Sequence, residues 1–205
     1  GLRDFKGSLY EGGIRVPSII EWPKIINKSR VRKTSFPAGA VDVFPTIAEI
    51  VGLPKSSYIT PQDGISLLTL LKNKTYQENA SKQKESREKP LVFSSRGRMA
   101  IVDNGWKLVS QLKGQKREIE LFNLEKDPSE SNDLFVPGHY QVRRLRKILQ
   151  RERLSIDKSV SGNDYKQGNV TIQPPRIFWT ELPEYQKYFP EWKKRPEYKS
   201  RLNKF

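Results

Sequence analysis

A chain of 205 residues with 38 Lys and Arg against 23 Asp and Glu carries a formal net charge of +15, and it has one His and no Cys. The missing Cys excludes disulfides, thiolate zinc sites, iron–sulfur clusters and cysteine nucleophiles within the chain, and the lone His139 argues against a His-based triad or a His-rich metal site. No apolar run approaches the ~18 residues of a membrane-spanning helix, while four Trp, eight Tyr and nine Phe supply enough large apolar surface for a core.

The start, Gly1-Leu2-Arg3-Asp4, has neither Met nor a signal-peptide pattern and looks internal to a longer protein. Gly12-Gly13 supplies a turn, and the β-branched run Ile14 to Trp22 is expected to be a strand ended by Pro23. After a polar connection over residues 24–40, Val41, Phe44, Ile47, Ala48 and Val51 have the spacing of an amphipathic helix running to Leu53, with Asp42 as N-cap and Gly52 as C-cap. Asp63-Gly64 marks a turn before a short apolar helix or turn over Ser66 to Leu71. Nine of the 18 residues in 72–89 are charged, which predicts a solvated linker and a subdomain boundary.

Strands are predicted at Leu91 to Phe93, Met99 to Val102, Lys107 to Leu112 and Glu118 to Leu124, with hairpin turns at Asn104-Gly105 and Lys113-Gly114. Such a small antiparallel sheet needs a cover, and Tyr140 to Leu154 supplies one, with Val142, Leu145, Ile148 and Leu149 on a single stripe. From Ser155 to Phe205 the chain loses periodicity. It is expected to be an irregular extension pinned by its Tyr and Trp side chains, with one short helix near Leu182 to Phe189. Asp103, Asp127, Glu130 and Asp133 sit near turns, where carboxylates serve local hydrogen bonding.

Residues 1–71 carry nine basic and six acidic groups, and residues 72–205 carry 29 and 17. The second part should therefore attract polyanions, though the sign of the charge does not choose among nucleic acid, acidic lipid and sulfated polysaccharide. Four Asn-x-Ser/Thr sequons (Asn27, Asn73, Asn79 and Asn169) point to secretion in a glycosylating host, while the absence of Cys points to a bacterial one. Both place the protein outside the cytoplasm.

The segment Leu2-Arg3-Asp4-Phe5-Lys6-Gly7-Ser8-Leu9-Tyr10-Glu11-Gly12-Gly13-Ile14-Arg15-Val16-Pro17 resembles a signature of the type I sulfatases, members of the alkaline-phosphatase-like superfamily. Asp42 to Leu53, Asp63-Gly64-Ile65-Ser66-Leu67, Trp106-Lys107-Leu108-Val109 and Glu120 to Glu130 agree with the same family in the same order. The resemblance covers residues 1–134; beyond Leu154 no motif matches.

What this resemblance implies is an α/β fold: residues 1–71 as the C-terminal end of the large sulfatase domain, 72–89 as a linker, 90–154 as a C-terminal subdomain of antiparallel sheet plus helix, and 155–205 as a basic extension. It implies a sulfuric ester hydrolase acting on a sulfated carbohydrate, with Lys6 as the catalytic, sulfate-binding lysine. The family's nucleophile motif and its metal-ligand carboxylates are absent from this sequence. The calcium or magnesium ion of such enzymes would then be held by residues outside this chain, in the N-terminal part of the same sulfatase. Arg96 and Arg98, in Ser95-Arg96-Gly97-Arg98, are candidate substrate-binding residues, since guanidinium groups grip sulfate and carboxylate in pairs of hydrogen bonds. Glu11 and Arg15 suit a structural ion pair. Two alternatives stay open: a phosphoester or phosphonate hydrolase of the same superfamily, and a non-catalytic basic module binding sulfated glycans or nucleic acid.

Overall fold

Short β-forming stretches separated by Gly-containing turns can pair only with their sequence neighbours, and they do. The computed structural model describes residues 1–26, 33–58, 60–72, 86–164 and 177–202. Strands β1 (Leu91–Ser95), β2 (Arg98–Asp103), β3 (Trp106–Lys113) and β4 (Lys116–Asn123) form one antiparallel sheet in the order β1-β2-β3-β4. Every connection is a two-residue loop, because Ser95 pairs with Arg98, Asp103 with Trp106 and Lys113 with Lys116. Loops this short need left-handed φ values to match the strand twist. Arg96 and Gly97 have φ of 51° and 75°, and Asn104 and Gly105 have 47° and 89°. The third loop is Gly114-Gln115, one residue later than predicted from the sequence.

Both faces of the sheet are covered. On one, Met99, Ile101, Leu108 and Leu121 pack with Val142, Leu145 and Leu149 of helix α4 (Tyr140–Val160), which runs past its predicted end at Leu154. On the other, Ala100, Val109 and Phe122 pack with Leu9 and Tyr10 from the N-terminal segment.

That segment departs from prediction. Glu11–Ile14 is a single helical turn, α1, and Arg15 to Trp22 form no strand. Val16 and Ile19 are 76% and 94% exposed. A strand exists only through hydrogen bonds to a neighbour, and among the described residues no partner ladder meets this one. Gly12 and Gly13 are required for close approach rather than for free φ: a Cβ on Gly12 would fall on the carbonyl oxygens of Arg3 and Asp4, and one on Gly13 on that of Ser8.

Ala40–Asp42 makes a 3-10 turn into α2 (Val43–Ile50). Gly52, at φ 70°, ends the helix as predicted, and the Leu53 amide donates to the Ala48 carbonyl at 2.8 Å. Helix α3 (Leu68–Lys72) follows. Most of the predicted linker, residues 73–85, lies outside the described residues, as do all four sequons.

Residues 160–205 form a compact unit of their own. It contains α5 (Pro183–Gln186), α6 (Phe189–Trp192) and α7 (Pro196–Leu202) where one helix was predicted. Its aromatics pack on one another: Trp192 lies 5.7 Å from Trp179, 5.4 Å from Tyr188 and 5.7 Å from Tyr198, ring centre to ring centre.

Leu145 is fully buried between α4 and the sheet, whereas Leu154 on the same helix is exposed. Leu145→Ala is expected to cost about 2–5 kcal/mol through lost contacts and a residual cavity. Leu154→Ala should stay within about 0.5 kcal/mol. Urea denaturation with unchanged m-values measures both.

Candidate functional site

Lys6 stands exposed in a turn whose flanking residues, Asp4 and Gly7, have φ of 64° and 95°. The turn is closed by the Ser8 amide donating to the Phe5 carbonyl at 3.1 Å and the Gly12 amide donating to the Arg3 carbonyl at 2.8 Å. A loop this short cannot hold its own position. Three side chains of its segment do so by bonding to the sheet and to the loop after β4.

The deepest of these contacts is made by Glu11. Lys107 Nζ lies 3.0 Å from Glu11 Oε1 and 2.7 Å from Glu130 Oε1. The Glu11 amide donates to Glu130 Oε2 at 2.6 Å, closing a ring of contacts. Lys107, Glu130 and Glu11 are 0%, 1% and 5% exposed. Burial raises the Glu130 carboxyl above its ordinary pKa despite the opposing hydrogen bond from Lys107, and the nearby Glu11 charge pushes the same way. The expected Glu11–Arg15 pair forms at 3.8 Å, but Lys107 is the closer partner. Glu130 is therefore no local turn residue; it is a fully buried counter-charge.

Beside it, the Arg3 guanidinium lies 3.7 Å over the Tyr10 ring and 3.3 Å from Glu120. The Tyr10 hydroxyl donates to the Glu120 carboxylate, and Gln111 Nε2 donates to the Tyr10 oxygen at 2.7 Å. Burial, then the adjacent Glu120 carboxylate, pushes the phenol well above its usual range.

A second buried pair joins α2 to the approach to β1. Arg87 donates to both oxygens of Asp42 at 2.8 Å, and the Gly39 and Ile65 amides donate to the same carboxylate at 2.8 Å. Burial works to raise the Asp42 pKa, yet Arg87 and the two amides outweigh it and hold the carboxyl below the usual range. Asp42 therefore does not cap α2 with its side chain as predicted, because its carboxylate is taken up by Arg87 and by the Gly39 and Ile65 amides, and Arg87, counted in the solvated linker, is buried. The remaining carboxylates near turns act locally or on a neighbouring element. Asp127 accepts from the Asn132 amide, Asp133 from the Leu121 and Phe135 amides, and Asp103 pairs with Arg144.

Of the candidate site residues, Arg98 reaches the backbone of Gly7, the residue after Lys6. Arg98 Nη2 donates to the Gly7 carbonyl at 3.0 Å and its Nε to the Ser95 carbonyl at 3.4 Å. Arg96 is exposed at the β1–β2 turn, two residues away. No group of three or more His, Cys, Asp or Glu among the described residues could hold a metal ion.

Residues 3–157 match the family described as N-sulphoglucosamine sulphohydrolase, C-terminal. The chain belongs to this family. It is 38% identical over 76 residues to the human steryl-sulfatase, covering 36% of this chain and 12% of that protein. It is 28% identical over 160 residues to the N-acetylgalactosamine-6-O-sulfatase of Bacteroides thetaiotaomicron, covering 72% and 29% respectively. Against arylsulfatase K of Xenopus laevis it is 26% identical over 200 residues, covering 94% and 36%. The chain thus spans from about an eighth to about a third of the length of these relatives.

Sequence reasoning missed Lys107, Glu120 and Arg87. The available signal was polar residues at Lys107, Gln111 and Glu120, all on the sheet face that also carries Val109 and Phe122.

Two measurements check the buried charges. Arg87→Met leaves Asp42 buried and unpaired and should cost about 3–5 kcal/mol. Because the folded-state pKa of Asp42 is lowered, its contribution is complete above its unfolded value, ~3.9, and is lost as pH falls through the folded value. Glu130 has the opposite sign: its pKa is raised, so stability present below its unfolded value is lost as pH rises through the folded one. Glu130→Gln should therefore gain on the wild type with rising pH in a urea series.

Proposed function

We propose that the chain is the C-terminal portion of a sulfuric ester hydrolase acting on a sulfated carbohydrate. The observation that carries this reading is the Lys6 turn, exposed at its tip yet anchored by the buried Glu11–Lys107–Glu130 contacts, within the stretch that matches the family. An ammonium fixed there binds a sulfate ester, offsets its charge and stabilises the charge that grows on the departing oxygen. Arg98, holding the Gly7 carbonyl, and Arg96 beside it are proposed to contact the sugar's other anionic or hydroxyl groups. The calcium or magnesium ion of the reading would sit on residues outside this chain, in the N-terminal part of the same sulfatase.

The proposed division is residues 1–71 with the large domain, 72–89 as linker, 90–154 as subdomain and 155–205 as extension. Its support is an inverted helix. In α2 the apolar side chains Val43, Phe44 and Ile47 face outward, with Phe44 and Ile47 46% and 53% exposed, while Pro45, Thr46 and Ala48 are buried. Such a face, together with Val16 and Ile19, suits burial against the N-terminal part of the same sulfatase. An extracytoplasmic location, periplasmic, secreted or lysosomal, accompanies this reading, and no described helix is long and apolar enough to cross a membrane.

In the intact protein, Lys6→Ala should lower kcat/KM for a sulfate ester by about 10²–10³ while leaving the denaturation midpoint in place. Unchanged turnover, or faster hydrolysis of the matched phosphate ester by the wild type, would refute the reading. The double substitution Phe44→Asp with Ile47→Asp should abolish association with a separately expressed N-terminal portion in gel filtration. It should cost the 205-residue chain no more than the edge contact of the Phe44 ring on Tyr58, about 0.5–1.5 kcal/mol.

A further inference from the structure

We infer that the exposed face of α4 is a second binding site, one that takes a sulfated polysaccharide chain away from the Lys6 turn. The choice of polyanion rests on the function proposed above; the site itself rests on charge placement. Helix α4 carries seven basic side chains against Glu152 and Asp157. Arg144 is committed to Asp103 and Arg151 to Glu152. Arg143, Arg146 and Lys147 are exposed and meet no carboxylate among the described residues. Arg143 and Lys147 are one turn apart, about 6 Å along the axis, with Arg146 beside them. An open depression of about 530 Å³ is lined by Arg143, Arg144, Lys147 and Ile148, three cations with no acid among them.

Local stability does not account for this arrangement. Like charges three and four residues apart on a helix repel. Cations in the first turns also oppose the helix dipole, and the first turn of α4 has no acidic residue to compensate. The same features reinforce one another toward an anion, because the positive helix end and the guanidinium groups attract it together. An aromatic row adjoins the cations: Tyr140 is exposed one turn before Arg143 and Arg144, stacks on His139 at 6.3 Å, and His139 lies 5.7 Å from Trp106. Flat rings beside a line of cations suit a chain of alternating apolar and anionic surfaces better than an isolated ion.

The site is separate from Lys6 because α4 covers one sheet face and the Lys6 segment covers the other. A polymer held on α4 would raise the local concentration of its own sulfated units at the reacting centre without touching that centre.

The test uses the intact protein and a variant combining Arg143→Ser, Arg146→Ser and Lys147→Ser. A heparin dodecasaccharide, a desulfated dodecasaccharide and a single-stranded RNA of similar charge serve as probes. The expected result is at least tenfold weaker binding of the heparin probe by the variant. The slope of log K against log salt should fall by about 2, since each lost ion contact removes ~0.7–0.9. Hydrolysis of a small aryl sulfate and the melting temperature should not change. Unchanged heparin binding in the variant would overturn the site. RNA binding as tight as heparin binding by the wild type would overturn the choice of ligand. The binding arm needs no turnover, so it stands or falls independently of whether the protein cleaves sulfate esters.

Discussion

Lys107 points from the sheet into a fully buried space, and the structure around it is arranged to meet that charge. Its two carboxylate partners come from residues 11 and 130, far apart in the chain, and all three side chains are buried. Exchange for an apolar trio could be close to neutral in net stability, because desolvating three ions offsets much of their attraction. What the arrangement supplies is position. Helix α1 is a single turn, far below the length at which a helix holds itself together. It persists because Glu11 is bound through both its side chain and its amide, and the Gly12-Gly13 backbone lies tight against residues 3–8. The place of the Lys6 turn follows from that anchoring.

The sheet thereby acquires two unlike faces. The α4 side is an ordinary apolar core, while the opposite side mixes Val109 and Phe122 with Lys107, Gln111 and Glu120. Each of these three polar residues has a partner in the N-terminal segment: Glu11 for Lys107, Tyr10 for Gln111, Arg3 and Tyr10 for Glu120. A segment with little secondary structure of its own is thus ordered by the strands it covers. At one edge the Arg98–Gly7 contact continues the same logic, fixing the backbone of the turn that presents Lys6.

This pattern explains what the sequence could and could not reveal. Strands β1 to β4 and helix α4 were legible because turn residues and the periods of two and 3.6 are local signals. The signature around Lys6 was legible through its resemblance, which placed Lys6 and Glu11 in one motif. The partners of Glu11 were not, because alternating polar residues in β3 and β4 have the pattern of a solvent-facing surface. Arg87 was hidden among charged neighbours, and its pairing with Asp42 spans 45 positions that no periodicity connects. The Ile14 to Trp22 run was misjudged for the reverse reason: β-branched composition was present, but the ladder partner that makes a strand was not.

The anchoring role of Lys107 is tested most directly by amide hydrogen exchange on Lys107→Met, followed residue by residue against the wild type. Loss of protection at the Glu11, Gly12 and Arg15 amides is expected, with the amides of β2, β3 and β4 remaining protected. Equal protection of the N-terminal segment in both proteins would contradict the view that the buried lysine holds the Lys6 turn in place.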